Sequence, residues 1–314
     1  MAVMADKITM DRGSSVIAKL KSKAKASGKP FQLYLQLFCQ EEFLRRVSMS
    51  KYSDNFVLKG GLFIYTLTNF ESRATIDVDF LLRQLPSDID TLQKINDEIL
   101  SVNTGNDFIV FDAKGYEQIS PQRKYKGVSF QLIGRIKNTK TPFNVDIGVG
   151  DIIIPKAEKR IIPTQLEDFT VPEISTYSLE STIAEKFDAI LGRLELTSRM
   201  KDFYDIYYIA HTFDFDGRKL QEAILGTLQN RGTVYEKDSF NKIIELANDS
   251  GMLQKWRYFL RSMKADEPDF AEVITAIQVF LQPIWNAIIA EDELLKSWSM
   301  QMQNWENNVV TQKV

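Results

Sequence analysis

The chain has 314 residues, 44% of them hydrophobic and 26% charged, with a formal net charge of −3; that length suits about two domains with a sizeable core, and the slight acidity argues against a general nucleic-acid coat protein. One cysteine, Cys39, and one histidine, His211, exclude internal disulfides, thiolate zinc sites and Cys–His nucleophilic pairs. Chemistry, if present, falls to carboxylates, lysines and a hard metal ion.

The polar start, MAVMADKITMDRGSS, predicts no signal peptide. No apolar run is expected to approach the ~18 residues of a membrane span, so a cytoplasmic protein is expected. Residues 14–27 read as a charged helix and 32–49 as a second one, with Leu33, Leu37, Phe38 and Leu44 as its apolar stripe. In FVLKGGLFIYTLT, Gly60 and Gly61 interrupt an apolar run. ATIDVDFLL (74–82) reads as a strand: Ile76, Val78 and Phe80 face the core, and Asp77 and Asp79 the other side. PSD opens a helix over about 86–102. Residues 107–113, 126–137 and 142–154 read as strands, with NTKTP (138–142) as a turn, and Asp146 alternates with the apolar set of the last strand. This mixture predicts a small mixed sheet with helices on one side.

Composition changes after about residue 175. SLESTIAEKFDAILGRLE is a helix that Ser178 can cap, with Leu179, Ile183, Phe187, Ile190 and Leu194 buried and Lys186 at the stripe's edge. MKDFYDIYYIAHTF is another helix, and the remainder to about 308 reads as helical. The expected organisation is an α/β domain over 1–170 and a helical domain over 171–314, with a boundary near 165–176.

Three groups of residues can carry chemistry. Lys59-Gly60-Gly61 lets a backbone come close to phosphates, although a structural turn explains two glycines equally well. Asp77, Asp79 and Asp146 on one sheet face make an oxygen-rich site for Mg²⁺, or form a solvated face with surface ion pairs. Asp202 and Asp205, three apart on a helix, need a nearby cation, with Lys186 and Lys201 as candidates. That group could bind a triphosphate and assist an acceptor hydroxyl, or be a helix–helix salt bridge. The basic stretches at 19–29, 123–126 and 156–160 are either solvated surface or contacts for a phosphate or RNA backbone.

In this order, L-K-G-G, R-A-T-I-D-V-D-F, V-D-I-G-V-G-D, A-E-K and K-D-F-Y-D-I-Y resemble the AbiEii/AbiGii toxin family of bacterial toxin–antitoxin systems. The resemblance implies an α+β fold of the DNA polymerase β-type nucleotidyltransferase superfamily: a mixed sheet with flanking helices, joined to a C-terminal helical domain. It implies that Gly60 and Gly61 open the phosphate loop, that Asp77, Asp79 and Asp146 bind metal, and that Lys186 contacts the nucleotide. Asp202 and Asp205 match the family's second acid block, with Lys201 beside them. Arg73 and Thr75 lead into the metal strand as phosphate or acceptor contacts. With Gly61 where the superfamily usually has Ser, phosphate contacts fall to backbone N–H groups and to Lys59 or Lys186.

The resulting expectation is an Mg²⁺-dependent toxin that moves a nucleotide from an NTP to tRNA or another acceptor. A cognate antitoxin, which need not bind it, would relieve the growth arrest. The alternatives are an antibiotic-type small-molecule nucleotidyltransferase and a nucleotide-binding or interaction protein with no turnover.

Overall fold

The computed structural model of the chain describes residues 11–119, 127–194, 199–265 and 267–307; the basic stretch at 123–126 lies outside them. The chain divides into two compact units, residues 1–150 with 159–176, and residues 151–158 with 177–314.

The first unit opens with α1 (Arg12–Ser27) and α2 (Phe31–Met49). β1 (Phe56–Lys59), α3 (Gly60–Leu67), β2 (Val78–Leu82) and α4 (Ile89–Leu100) follow. Then come β3 (Ile109–Ile119), β4 (Gly127–Ile136), β5 (Thr139–Val149), β6 (Glu158–Ile161) and β7 (Glu173–Thr176). They form one mixed seven-stranded sheet in the order β3-β4-β5-β2-β1-β7-β6. β2 runs parallel to β5 and antiparallel to β1.

Helix α2 covers the sheet's apolar face: its Phe43 ring lies 6.3 Å from Phe80, 6.4 Å from Phe111 and 6.3 Å from Phe143. The helix is buried nearly all round, so its charged run EEFLRR is neutralised internally. Arg45 pairs with Glu41 and Glu42 at 2.5 Å each and donates to the Thr170 carbonyl, while Arg46 donates to the carbonyls of Leu100 and Ile109. Buried ions persist when paired and hydrogen-bonded in this way. Burial still pushes the Glu41 carboxyl above its ordinary pKa, against the lowering effect of the Gln165 N–H and of Arg45.

Two local readings of this unit need correction. The strand around the acids starts at Val78, not near residue 74, and Ile76 is 58% exposed. Residues ahead of β2 have no ladder partner to hold them flat, and Gln36 and Gln40 of α2 bind the carbonyls of Thr75 and Ile76 instead. The β4–β5 turn is the two-residue Lys137-Asn138, with Lys137 at φ 54°; Thr139 already pairs with Ile136, and NTKTP belongs mostly to β5.

The second unit contains α5 (Leu179–Leu191), α6 (Met200–Thr212), β8 (Phe215–Asp216) and α7 (Gly217–Arg231). α8 (Ser239–Glu245), α9 (Ser250–Met263), α10 (Phe270–Ala290), β9 (Lys296–Ser299) and β10 (Asn304–Asn307) complete it. Ser178 caps α5 as expected, accepting from the Ser181 N–H, but the helix stops at Leu191, so Leu194 lies outside it.

The tail is not all helical: β8, β9 and β10 make a small sheet in which Trp298 and Trp305 are direct cross-strand partners packed on Phe280. The segments KSWS and NWEN put one aromatic on the buried side of a two-residue repeat, and no 3.6-residue stripe competes with it. Contrary to the hydropathy expectation, α10 is long and apolar enough to cross a membrane. Its Val273, Ile277, Phe280, Ile284 and Trp285 are buried within the second unit, as in a core helix.

Candidate active site

The sheet face opposite α2 carries a row of polar residues set by strand register. Lys59 of β1 faces Asp79 of β2, Asp79 faces Asp146 of β5, and Asp146 faces Ser129 of β4. Directly paired residues project to the same side of a sheet, so the four side chains share one face. Ser129 Oγ donates to Asp146 Oδ1 at 2.6 Å. Asp77, one step beyond the strand, accepts from Asn144 Nδ2 at 3.2 Å, and Asn144 pairs with Gln131. Neighbouring strands lie ~4.8 Å apart. At about that separation two carboxylates repel by roughly 1 kcal/mol in water and severalfold more at a protein surface. Lys59 on one flank and Ser129 on the other offset that repulsion.

The turn from β1 into α3 reaches this row. Gly60 has φ +69°, and a Cβ there would run into the Asp79 carboxylate, 2.7 Å from Cγ and 2.9 Å from Cβ. Only glycine combines that conformation with that proximity. The first N–H groups of α3 have no intrahelical acceptor, as at any helix start. A Cβ at Gly61 would lie 3.1 Å from the Thr75 side chain and 3.4 Å from Arg73 Nη2. The glycine pair, Arg73 and Thr75 are thus brought together beside Asp79. Thr75 is buried, and its hydroxyl accepts from the Asp77 N–H at 3.4 Å, so it supports the chain ahead of the acids.

The remaining residues singled out in the sequence cluster within the second unit. Lys186 Nζ on α5 lies 2.6 Å from Asp205 Oδ2 and 3.1 Å from Asp202 Oδ1 on α6, and all three are buried. The second cation is Arg199, 2.6 Å from Asp202, and not Lys201, which is exposed. Of the two readings, the helix–helix ion pair is present; of the two candidate cations Lys186 takes part, and Arg199 stands in for Lys201 because the residue just ahead of α6 reaches over its first turn to Asp202.

A second ionic group was not found from sequence. Arg231, at the end of α7, binds Asp151 at 2.9 Å, Asp188 at 2.9 Å and Glu185 at 3.3 Å. Burial depresses the guanidinium's pKa, but the three carboxylates together hold it above its ordinary value. Tyr177 donates to Glu185 at 2.9 Å, and burial and that carboxylate push its hydroxyl well above its usual pKa. Nothing local in LQNRG marks Arg231. Ser129 and Asn144 were likewise missed, although both alternate with apolar neighbours as the acids do.

Among the described residues, no three or more His, Cys, Asp or Glu side chains are gathered closely enough to hold a metal ion. Asp77 and Asp146 each spend an oxygen on a protein donor. The donors facing one another on β2 and β5 are hard carboxylate oxygens, which suit a divalent cation such as Mg²⁺ better than a soft metal.

A mixed sheet with acids paired across parallel strands and a glycine turn against them is the framework of a nucleotidyltransferase. The fold is shared with MenT4, a nucleotidyltransferase toxin from Mycobacterium tuberculosis H37Rv, at a TM-score of 0.52 and 16% identity over 90% of this chain and 100% of that one. JHP933 from Helicobacter pylori aligns at a TM-score of 0.44 and 16% identity, over 81% of this chain and 94% of that one. No curated protein matches significantly. The family model for the nucleotidyl transferase AbiEii toxin of type IV toxin–antitoxin systems matches residues 42–282, and the chain belongs to that family. It is a nucleotidyltransferase enzyme and a toxin of such a system, which implies an NTP substrate and an antitoxin.

Proposed function

We propose that the enzyme moves a nucleotide from an NTP to an RNA acceptor such as tRNA, depends on Mg²⁺, acts in the cytoplasm and arrests growth. The observation that carries this reading is the row Lys59–Asp79–Asp146–Ser129, with Gly60 closed against Asp79. Asp77, Asp79 and Asp146 are the residues that would hold Mg²⁺, which would supply charge neutralisation on the phosphates and a more acidic attacking hydroxyl. The N–H groups opening α3, with Lys59 and Arg73, bind phosphate oxygens.

Lys186 already balances Asp202 and Asp205, so neutralising a triphosphate requires it to exchange one carboxylate for a phosphate. The acid released by that exchange, Asp202 or Asp205, then accepts the acceptor's proton. Lys201, exposed on the same helix, adds an approach for anions. The antitoxin need not bind the toxin directly. A cationic drug as acceptor would call for an acidic approach, whereas α1 of the first unit carries basic residues and no acid.

The test is transfer from each of four α-labelled NTPs to total tRNA with Mg²⁺, beside Asp79→Ala. Label in RNA with one NTP, lost in the variant and on chelation, is expected. Equal toxicity of Asp79→Ala in cells would refute the reading.

A further inference from the structure

Helix α1 and the residue pair after it carry Arg12, Lys19, Lys21, Lys23, Lys25 and Lys29 and no acid, in a chain whose net charge is −3. Val16, Leu20 and Ala24 form the buried stripe. Lys19 and Lys23 lie on one side of it and are used within the first unit: Lys19 pairs with Asp168, and Lys23 Nζ donates to the Gln165 carbonyl at 2.8 Å. Lys21 and Lys25, one turn apart at 100° per residue, lie on the other side and are exposed.

The C-terminal end of this basic edge leads toward the acids. Lys29 Nζ donates to the Phe70 carbonyl at 3.3 Å. Gln36 and Gln40, early in the next helix, hold the carbonyls of Thr75 and Ile76 at 2.9 and 2.8 Å, immediately ahead of Asp77. Lys29 and the next helix are thus both tied, within one unit, to the segment 70–76 that contains Arg73 and leads into the metal strand.

We propose that the Lys21–Lys25–Lys29 edge is the docking surface for the phosphate backbone of the acceptor RNA. The proposal rests on the RNA-acceptor reading above and adds where the acceptor lies. The occupant follows from charge complementarity: exposed lysines on one side of a helix without interspersed acids suit a repeating polyanion, contact phosphates and carry no base readout. The surface holds the acceptor in register while the end to be modified reaches the acids.

The experiment measures binding of fluorescent total tRNA by anisotropy from 50 to 300 mM salt, for wild type, Lys21→Glu/Lys25→Glu, the milder Lys21→Ala/Lys25→Ala, and Lys94→Glu on α4 as a control. Melting curves confirm that each variant folds. The charge reversal is expected to weaken binding by ~10-fold or more, and the alanine pair to flatten the salt slope by about 1.4–1.8. In the transfer assay the acceptor's KM rises while the NTP's KM holds.

Unchanged tRNA affinity in both double variants, or no tRNA binding by wild type at 50 mM salt, overturns the proposal. So does a loss confined to co-sedimentation with anionic phosphatidylserine vesicles, measured for the same variants alongside tRNA, which would make the edge a membrane contact. Weakened tRNA binding without any labelled RNA would leave the docking surface standing and remove the RNA-acceptor reaction, so the two readings fail separately.

Discussion

Replacing Gly60 by alanine tests the geometry of the site most directly. An L-residue at φ +69° costs ~1–2 kcal/mol of backbone strain. The added Cβ also meets Asp79, and rotating the aspartate relieves only part of that overlap. Its Cβ, fixed by the strand, would still lie 2.9 Å away, about half an ångström inside ordinary carbon–carbon contact. β1 and β2 must separate, or Asp79 must move away from Asp146. Together these effects predict a loss of ~2–3 kcal/mol in urea denaturation, at about 2–4 °C of Tm per kcal/mol. Misplacing a catalytic group by ~1 Å costs roughly 10²-fold in rate, so kcat should fall by that order at a temperature where the variant is fully folded. Gly61→Ala, with a tight 3.1 Å contact and no positive φ, should lose less than half as much stability. A Gly60→Ala enzyme with kcat within about threefold of wild type would refute the claim that this turn sets the position of a working carboxylate.

Lys186→Met removes the ammonium that Asp202 and Asp205 share, and should cost ~3–5 kcal/mol in urea unfolding; adding Asp205→Asn should restore part of it, and strict additivity would show that the three groups do not act as a unit. Arg231→Ala removes the guanidinium that Asp151, Glu185 and Asp188 share and should lower stability by ~3 kcal/mol, with Asp188→Asn as partial rescue; a loss under about 0.5 kcal/mol would mean the cluster is effectively solvated. Burial pushes the Cys39 thiol from 9.0 up to about 12. Below pH 9 it is protonated folded and unfolded and contributes nothing. Above pH 9 the unfolded chain releases that proton first, so stability falls by ~1.4 kcal/mol per pH unit until the folded pKa. Cys39→Ala should lose this alkaline slope in pH-dependent denaturation. Native protein at pH 8 should also leave a thiol reagent unreacted until it unfolds.

Most of the site's framework was legible because period-two alternation is a local property. Asp79 and Asp146 each sit between apolar neighbours, and that alone put them on the polar side of their strands. Ser178 as a cap and the buried Ile183, Phe187 and Ile190 followed from helix chemistry in the same way. Ile76 showed the limit, since its alternation continued past the point where a ladder partner existed, and α2's glutamines took over the backbone. The tail after α10 failed for a related reason: two four-residue strands are too short to announce themselves, and their Trp298–Trp305 pairing supplies the burial.

By itself, then, the sequence determined which residue types were available for chemistry and which faces they would take, because side-chain direction follows from backbone period. The order of its motifs pointed to the family. Only the tertiary structure decided that Lys59, Asp79, Asp146 and Ser129 stand in one row, that Gly60 must be glycine because Asp79 lies against it, and that Lys186 answers two carboxylates while Arg231 answers three. Those are matters of register and packing between segments tens of residues apart in sequence. A one-residue slip in any strand pairing would have sent the same side chains to the opposite face.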